Sequence, residues 1–336
     1  MSALSNLARA SGLREAGVYY ALALLVAALA VATAVMGRPS YLSPVSLTNI
    51  VYQSSLIGIM AVAMTVVLIT GNFDLSVASV AALAAAVHIS VVDSVGFWPA
   101  LVVALAVAGC VGLLNGVMVQ LVGINAFIVT LGTLTAVRGL VLVVTGGRSL
   151  MVRNPIALAD MTAFESGHMG SLPYPVLYMG VFTLIVWIVL RFTVIGRRAY
   201  AVGGNAEAAR LSGIEVAWYK MGAFVLSSLA AGFAGVLFGC RFGAINPTAL
   251  QGDELTVIAA AILGGTSLFG GAGSVVKTLA GALLLFTLTN GFNILNLGAN
   301  YQGVVEGTAL VLAAAIYTLG GRRRNRGRAA AAKEVV

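Results

Sequence analysis

Ten apolar runs, most of them about 20 residues long, follow one another along the chain, and this succession restricts the fold more than any other feature. They lie near residues 18–36, 47–70, 75–92, 97–122, 126–145, 174–191, 216–239, 255–265, 275–296 and 302–319. A helix needs roughly 20 mostly apolar residues to cross about 30 Å of hydrocarbon. Nearly every run meets that length, so the expected fold is an all-α polytopic membrane protein of about ten transmembrane helices. Only 9% of the residues are charged, far below the roughly one quarter of a soluble domain, which excludes a soluble globular enzyme. The expected organisation is a cytoplasmic tail over 1–17, a transmembrane domain over 18–320 and a basic cytoplasmic tail over 321–336. The first run follows Arg9 and Arg14 and contains Ala32-Thr33-Ala34, as a signal peptide would. It is longer than a usual signal core and is read as an uncleaved span. The eighth run is short and leads into GGTSLFGGAGS, so a broken or re-entrant element is expected near 264–275, its backbone covered by protein or water.

Cations orient these spans, because cytoplasmic loops are enriched in Lys and Arg. With the N-terminus inside, Arg9, Arg14, Arg191, Arg197, Arg198, Arg210, Lys220, Lys277 and six cations beyond residue 321 fall on the cytoplasmic side, out of 19 in all. Arg38, Arg148, Arg153 and Arg241 fall outside, and Arg138 falls within a span. Both termini are therefore expected in the cytoplasm. The tail RRRNRGR reads as a stop-transfer segment beside anionic lipid rather than a nucleic-acid site. Asp74-Leu75-Ser76-Val77-Ala78 is echoed by Glu254-Leu255-Thr256-Val257-Ile258 five spans later, which suits two inverted five-helix halves, although so short a match also arises by chance. Ala231, Gly235, Gly239 and Gly243, like Ala108, Gly112 and Gly116, recur every fourth residue and suit close helix crossings.

Catalytic signatures are missing from the sequence. His88 and His168 are the only histidines, Cys110 and Cys240 read as packing residues, and GGAGSVVKT at 270–278 has Val276 where a phosphate loop needs glycine. No metal, no bound cofactor and no ATPase site of the chain's own are expected. The most informative polar stretch is 195–216, IGRRAYAVGGNAEAARLSGIEV. Gly203 and Gly204 would free the chain from the preceding span, Asn205 is a good N-cap, Glu207 suits the positive helix end and Gly213 the left-handed C′ position. The result is a short capped helix, either an ordinary surface loop helix or a docking element for a cytoplasmic partner. Asp74 reads as a helix N-cap or as a solute or gating contact, and Asp253 and Glu254 carry the same pair of readings. Asn125, Thr130, Thr133, Asn290 and Asn293 glue helices together or meet a passing solute. Arg138 needs a partner, for which Glu306 is a candidate.

Four segments carry a resemblance: GNFDLSVAS from Gly71, NAFIVTLGTLTAVRGLVLVVTGGR from Asn125, AVGGNAEAARLSGI from Ala201 and GDELTVIAAAILGGTSLFGGAGSV from Gly252. In order and spacing, from about residue 45 to 320, the chain resembles the membrane permease subunits of bacterial ATP-binding-cassette importers for ribose, xylose and related monosaccharides. The resemblance implies an inner-membrane protein forming the sugar pathway by alternating access. It implies a cytoplasmic ATPase, a periplasmic sugar-binding protein and a second permease chain, most simply identical, as partners. It also implies a coupling helix, with Gly204, Asn205, Glu207, Ala208, Ala209, Arg210 and Gly213 facing the ATPase. The external loop 148–173 and the stretch 241–252 are candidate docking sites for the binding protein. Asn72 replaces a glycine of the family pattern and adds an amide near the pathway, for which Asn72, Asp74, Asn125, Thr130, Glu254, Asn290 and Asn293 are the candidates. The rival readings are a relative that carries a nucleoside or branched-chain amino acid, and an ion-coupled secondary transporter.

Overall fold

The computed structural model describes residues 16–296 together with 303, 304, 307 and 308. Most of the tenth run, Glu306 and the basic tail lie outside the described residues, as does most of the N-terminal tail. The helices are α1 (Gly17–Val35), α2 (Pro44–Ile69), α3 (Val77–Val95), α4 (Phe97–Gln120), α5 (Ala126–Thr145), α6 (Pro155–Ser166), α7 (Tyr174–Phe192), α8 (Val194–Gly204), α9 (Ala206–Leu211), α10 (Val216–Phe242), α11 (Asp253–Leu263) and α12 (Val275–Leu295). Eight of them, α1 to α5, α7, α10 and α12, are long and apolar enough to cross a membrane. Each coincides with an expected run, and the chain is an all-α polytopic membrane protein.

The eighth run forms α11, whose 11 residues extend roughly 16 Å, about half of a crossing. A Cβ at Gly281 would lie 2.2 Å from the Ala260 carbonyl oxygen, and one at Gly264 2.6 Å from that of Lys277, so α11 runs antiparallel against the first half of α12. The segment 264–274 then continues as irregular backbone to reach Gly203 and Gly204 at the end of α8. Because Gly264 already stands beside Lys277 in the first turn of α12, 264–274 is a loop that closes the α11–α12 hairpin at the end of the bundle where α2 and α8 end.

Helices α2, α3 and α10 hold most of the core, while α1 exposes nearly all of its length. What brings α3, α4 and α10 so close is the small-residue spacing. A Cβ at Gly235 of α10 would stand 1.9 Å from the Ala81 carbonyl oxygen of α3, and one at Gly112 of α4 2.7 Å from that of Phe224. Such contacts gain dispersion energy from backbone atoms that larger side chains would hold apart.

The end of the bundle opposite α8 and α9 is more built than a loop reading suggests. Two-residue strands β1 (Leu150–Met151) and β4 (Ala244–Ile245) pair antiparallel and tie the connections after α5 and α10, and β2 (His168–Met169) pairs with β3 (Leu172–Pro173). Between them lies α6, started by the Asn154 side chain accepting from Ile156 N–H and by Pro155 in the first turn. The Asp93 carboxylate at the end of α3 accepts from the amides of Arg153 and Asn154 and fixes that start. Buried Glu165 at the other end of α6 accepts from the hydroxyls of Tyr52 and Ser166, and the Arg241 guanidinium sits 4.4 Å over the Tyr52 ring.

Candidate functional site

The stretch 193–216 forms an elbow of two helices. Thr193 ends α7 and caps α8 through its hydroxyl, which accepts from Gly196 N–H at 3.3 Å. Helix α8 runs through both Gly203 and Gly204, contrary to the expectation that these glycines release the chain. The physical reason for glycine is closeness of approach: a Cβ at Gly203 would lie 1.7 Å from the Ile69 carbonyl oxygen. The break comes at Asn205, whose side chain accepts from Ala208 N–H at 3.0 Å and starts α9. Gly213, at φ +77°, closes α9 by donating to the Arg210 carbonyl, and Ile214 N–H reaches that of Ala209. Both ends of a six-residue helix are thus satisfied, which is what allows so short a helix to persist.

Only Ala209 of α9 is buried; Asn205, Glu207, Ala208, Arg210 and Gly213 are exposed together, and Gly204 stands beside them. Glu207 and Arg210 form a two-point ion pair, 2.7 Å at its shorter contact. The hydrogen bonds from Arg210 hold the Glu207 carboxyl below its ordinary range, and the same bonds raise the guanidinium. So exposed a pair adds little stability. It does present a fixed pattern of charge, with Leu211 and Trp218 left 77% and 72% exposed nearby. Paired charge flanked by uncovered large apolar side chains suits a protein partner better than bare water.

The candidate pathway residues do not converge on one point. Asp74 is fully buried in the turn between α2 and α3, two residues before the α3 N-cap Ser76 rather than at it. One carboxylate oxygen accepts from Ser76 N–H and Oγ–H, and the other accepts from the Ser227 hydroxyl of α10 at 2.8 Å. Asn115 Nδ2 donates to Ser76 Oγ, and the Thr133 hydroxyl donates to Asn115 Oδ1. A buried polar chain thereby joins α3, α4, α5 and α10. Ser76, Asn115 and Ser227 escaped the sequence reading; the available signal was an asparagine between Gly112 and Gly116 inside an apolar run. Asn72 is buried beside this turn, its Nδ2 without a protein hydrogen-bond partner.

Asn125 is exposed and caps α5 by accepting from Phe127 N–H, while buried Thr130 donates to the Ala126 carbonyl one turn back. Glu254 accepts from Gly252 N–H at the start of α11. Asn290 accepts from the Ser46 hydroxyl, and Asn293 is exposed near the end of α12. Asn125 and Asn293 thus lie at opposite ends of the bundle. Arg138 donates to the carbonyls of Ala249 and Pro247, with the charges of Glu254 and Asp253 acting on it. These groups fill the role for which the sequence suggested Glu306, which lies outside the described residues. Among the described residues no cluster of His, Cys, Asp and Glu could hold a metal.

The family model described as the permease component of a branched-chain amino acid transport system matches residues 46–314, a range that runs from the first turn of α2 past the end of α12. The chain belongs to this permease family. It is 41% identical over 277 residues to the ribose import permease protein RbsC of Escherichia coli strain K12, covering 82% of this chain and 86% of that one. To the protein of the same name from Bacillus subtilis strain 168 it is 38% identical, over 82% of this chain and 85% of the other. The D-allose transport system permease protein AlsC of E. coli K12 is 34% identical, over 86% and 89% of the two chains. No solved structure matches. As a family member the chain is a transport subunit.

Proposed function

We propose that this permease forms the membrane pathway of an ATP-driven monosaccharide importer of the bacterial inner membrane, with both termini in the cytoplasm, and works by alternating access. The observation that carries the reading is α9, a fully capped short helix held off the bundle on α8, with Glu207 and Arg210 pinned to each other and facing out. An element so placed is shaped to be pushed. The energy comes from a separate cytoplasmic ATPase that docks on Gly204, Asn205, Glu207, Ala208, Arg210 and Gly213, beneath which buried Ala209 seats the helix. No cofactor is bound by this chain. At the opposite end, α6 and the β1–β4 ladder offer a stiff platform for a periplasmic sugar-binding protein. A second, identical chain completes the pathway, to which Asn72, Asp74, Asn125, Thr130, Glu254, Asn290 and Asn293 contribute polar groups. Relatives named for ribose and allose support a sugar as cargo over a nucleoside or a branched-chain amino acid. Few intramembrane charges are on offer for coupling to an ion gradient, which disfavours a secondary transporter.

Deleting residues 205–213 is expected to abolish copurification of the ATPase while membrane insertion persists. Undiminished copurification would remove the docking assignment. The orientation is tested separately by a Ser212→Cys substitution, since Ser212 is exposed at the end of α9. Its thiol should react with an impermeant maleimide only from the cytoplasmic face, and labelling of intact cells from the periplasm would invert the topology.

A further inference from the structure

Three backbone segments meet at the end of α8 with no side chain between them. A Cβ at Gly203 would stand 1.7 Å from the Ile69 carbonyl oxygen and 2.7 Å from the Gly271 nitrogen. One at Gly270 would lie 2.6 Å from the Gly203 oxygen and 3.0 Å from the Cα of Gly71, and one at Gly271 2.7 Å from the Cα of Gly204. Gly71, Gly270 and Gly271 have φ of +81°, +83° and +71°, the left-handed region that other residues enter only under strain. Two hydrogen bonds close the contact: Gly271 N–H donates to the Ile69 carbonyl at 2.9 Å, and the Tyr200 hydroxyl of α8 donates to the Gly273 carbonyl at 2.9 Å.

The three segments lead to different places. From Ile69 and Gly71 the chain passes Asn72 and Asp74 into α3, and Asp74 is bonded to α10. From Gly270 and Gly271 it passes back through the irregular loop to α11 and forward into α12. From Gly203 and Gly204 it passes to α9. On its other flank α8 borders a cavity of about 640 Å³ between α7 and α10, lined by Ile195, Arg198 and Ala199 of α8 and by Trp218 and Tyr219. The helix thus has space on one side and direct backbone contact on the other. Closely packed backbones have no compressible side chains between them, so displacement of one must carry the others.

We infer that Gly203, Gly270, Gly271 and Tyr200 form a rigid joint that transmits movement of the α8–α9 elbow to the Asn72–Asp74 turn and to the 264–274 loop of the α11–α12 hairpin together. These are positioning residues for coupling, and the inference rests on the docking of an ATPase proposed above. A purely structural contact would hold the three segments without moving them.

The test uses the full-length permease bound to its ATPase, carrying Asn72→Cys as a reporter, with labelling by a charged maleimide compared in the nucleotide-free and vanadate-trapped states. Trapping is expected to change the labelling rate in this parent. Tyr200→Phe removes one hydrogen bond without steric cost and should shrink that change about fivefold. Gly203→Ala and Gly271→Ala should erase it while the ATPase stays bound and still hydrolyses ATP. Gly139→Ala, whose Cβ meets nothing within 4 Å, should respond as the parent does. A bound ATPase with no change in parental labelling, or an unaltered change in Tyr200→Phe, would overturn the joint. Should the glycine variants fail to assemble, Tyr200→Phe decides alone. A parent that binds no ATPase would instead overturn the proposed function.

Discussion

Asp74→Ala is expected to destabilise the folded permease by about 3–5 kcal/mol, because it strands several buried donors at once. Ser76 N–H, Ser76 Oγ–H and Ser227 Oγ–H all lose their acceptor in a place that water does not reach. Asn115 and Thr133, bonded in sequence to Ser76, lose their anchor as well. Asp74→Asn keeps one oxygen acceptor and the side chain's shape, and the serine hydroxyls can turn to accept from its amide. Its cost should be nearer about 1–2 kcal/mol. Thermal unfolding in detergent, followed by helical circular dichroism, separates the two. Equal melting temperatures for wild type and Asp74→Ala would show that the network does not hold α3 to α10.

Gly235→Ala is expected to cost about 2–4 kcal/mol, the upper range for overpacking, since its Cβ would overlap the Ala81 carbonyl oxygen at 1.9 Å. The obstacle is backbone, so no rotamer change relieves it, and α10 must move away from α3 along a long crossing. Gly139→Ala supplies the opposite sign. It adds a methyl in open space within α5, where helix propensity alone favours alanine by up to about 1 kcal/mol. The pair of melting temperatures, one lowered and one unchanged or raised, distinguishes a contact glycine from a tolerated one. A neutral Gly235→Ala would mean that the two helices cross elsewhere.

Which features were legible in the sequence follows from how locally each is determined. Apolar length alone places α1 to α5, α7, α10 and α12, because hydrocarbon thickness demands it whatever the packing. The caps of α9 were legible too, since Asn205 and Gly213 act on amides and carbonyls a few residues away. Helix α6 was hidden, being short and mixed in character and started by a carboxylate, that of Asp93, some 60 residues earlier in the chain. Helix α8 was hidden by its own glycines, whose purpose is visible only once Ile69 and Gly271 stand against them. The Asp74 network was half visible: a buried carboxylate must be met, yet Ser227 is 153 residues distant and nothing local points to it. Asp74 and Glu254, whose surroundings echo each other, do stand near the starts of helices entered from opposite ends of the bundle, α3 and α11.

The α11–α12 hairpin also constrains how the chain is made. Helix α11 is too short to be handed sideways into lipid on its own, and the polar backbone groups of the loop after it need partners. Those groups find partners that were synthesised far earlier: the Ile69 carbonyl for Gly271 N–H, and the end of α8 for the turn itself. As the ribosome extends past residue 275, the segment must therefore leave the insertion machinery as a hairpin with α12, against a cradle that α2 and α8 have already set in place. Synthesis order and the final contacts agree, and a permutation that placed 253–295 ahead of α2 would deprive the hairpin of the surface it needs at the moment of release.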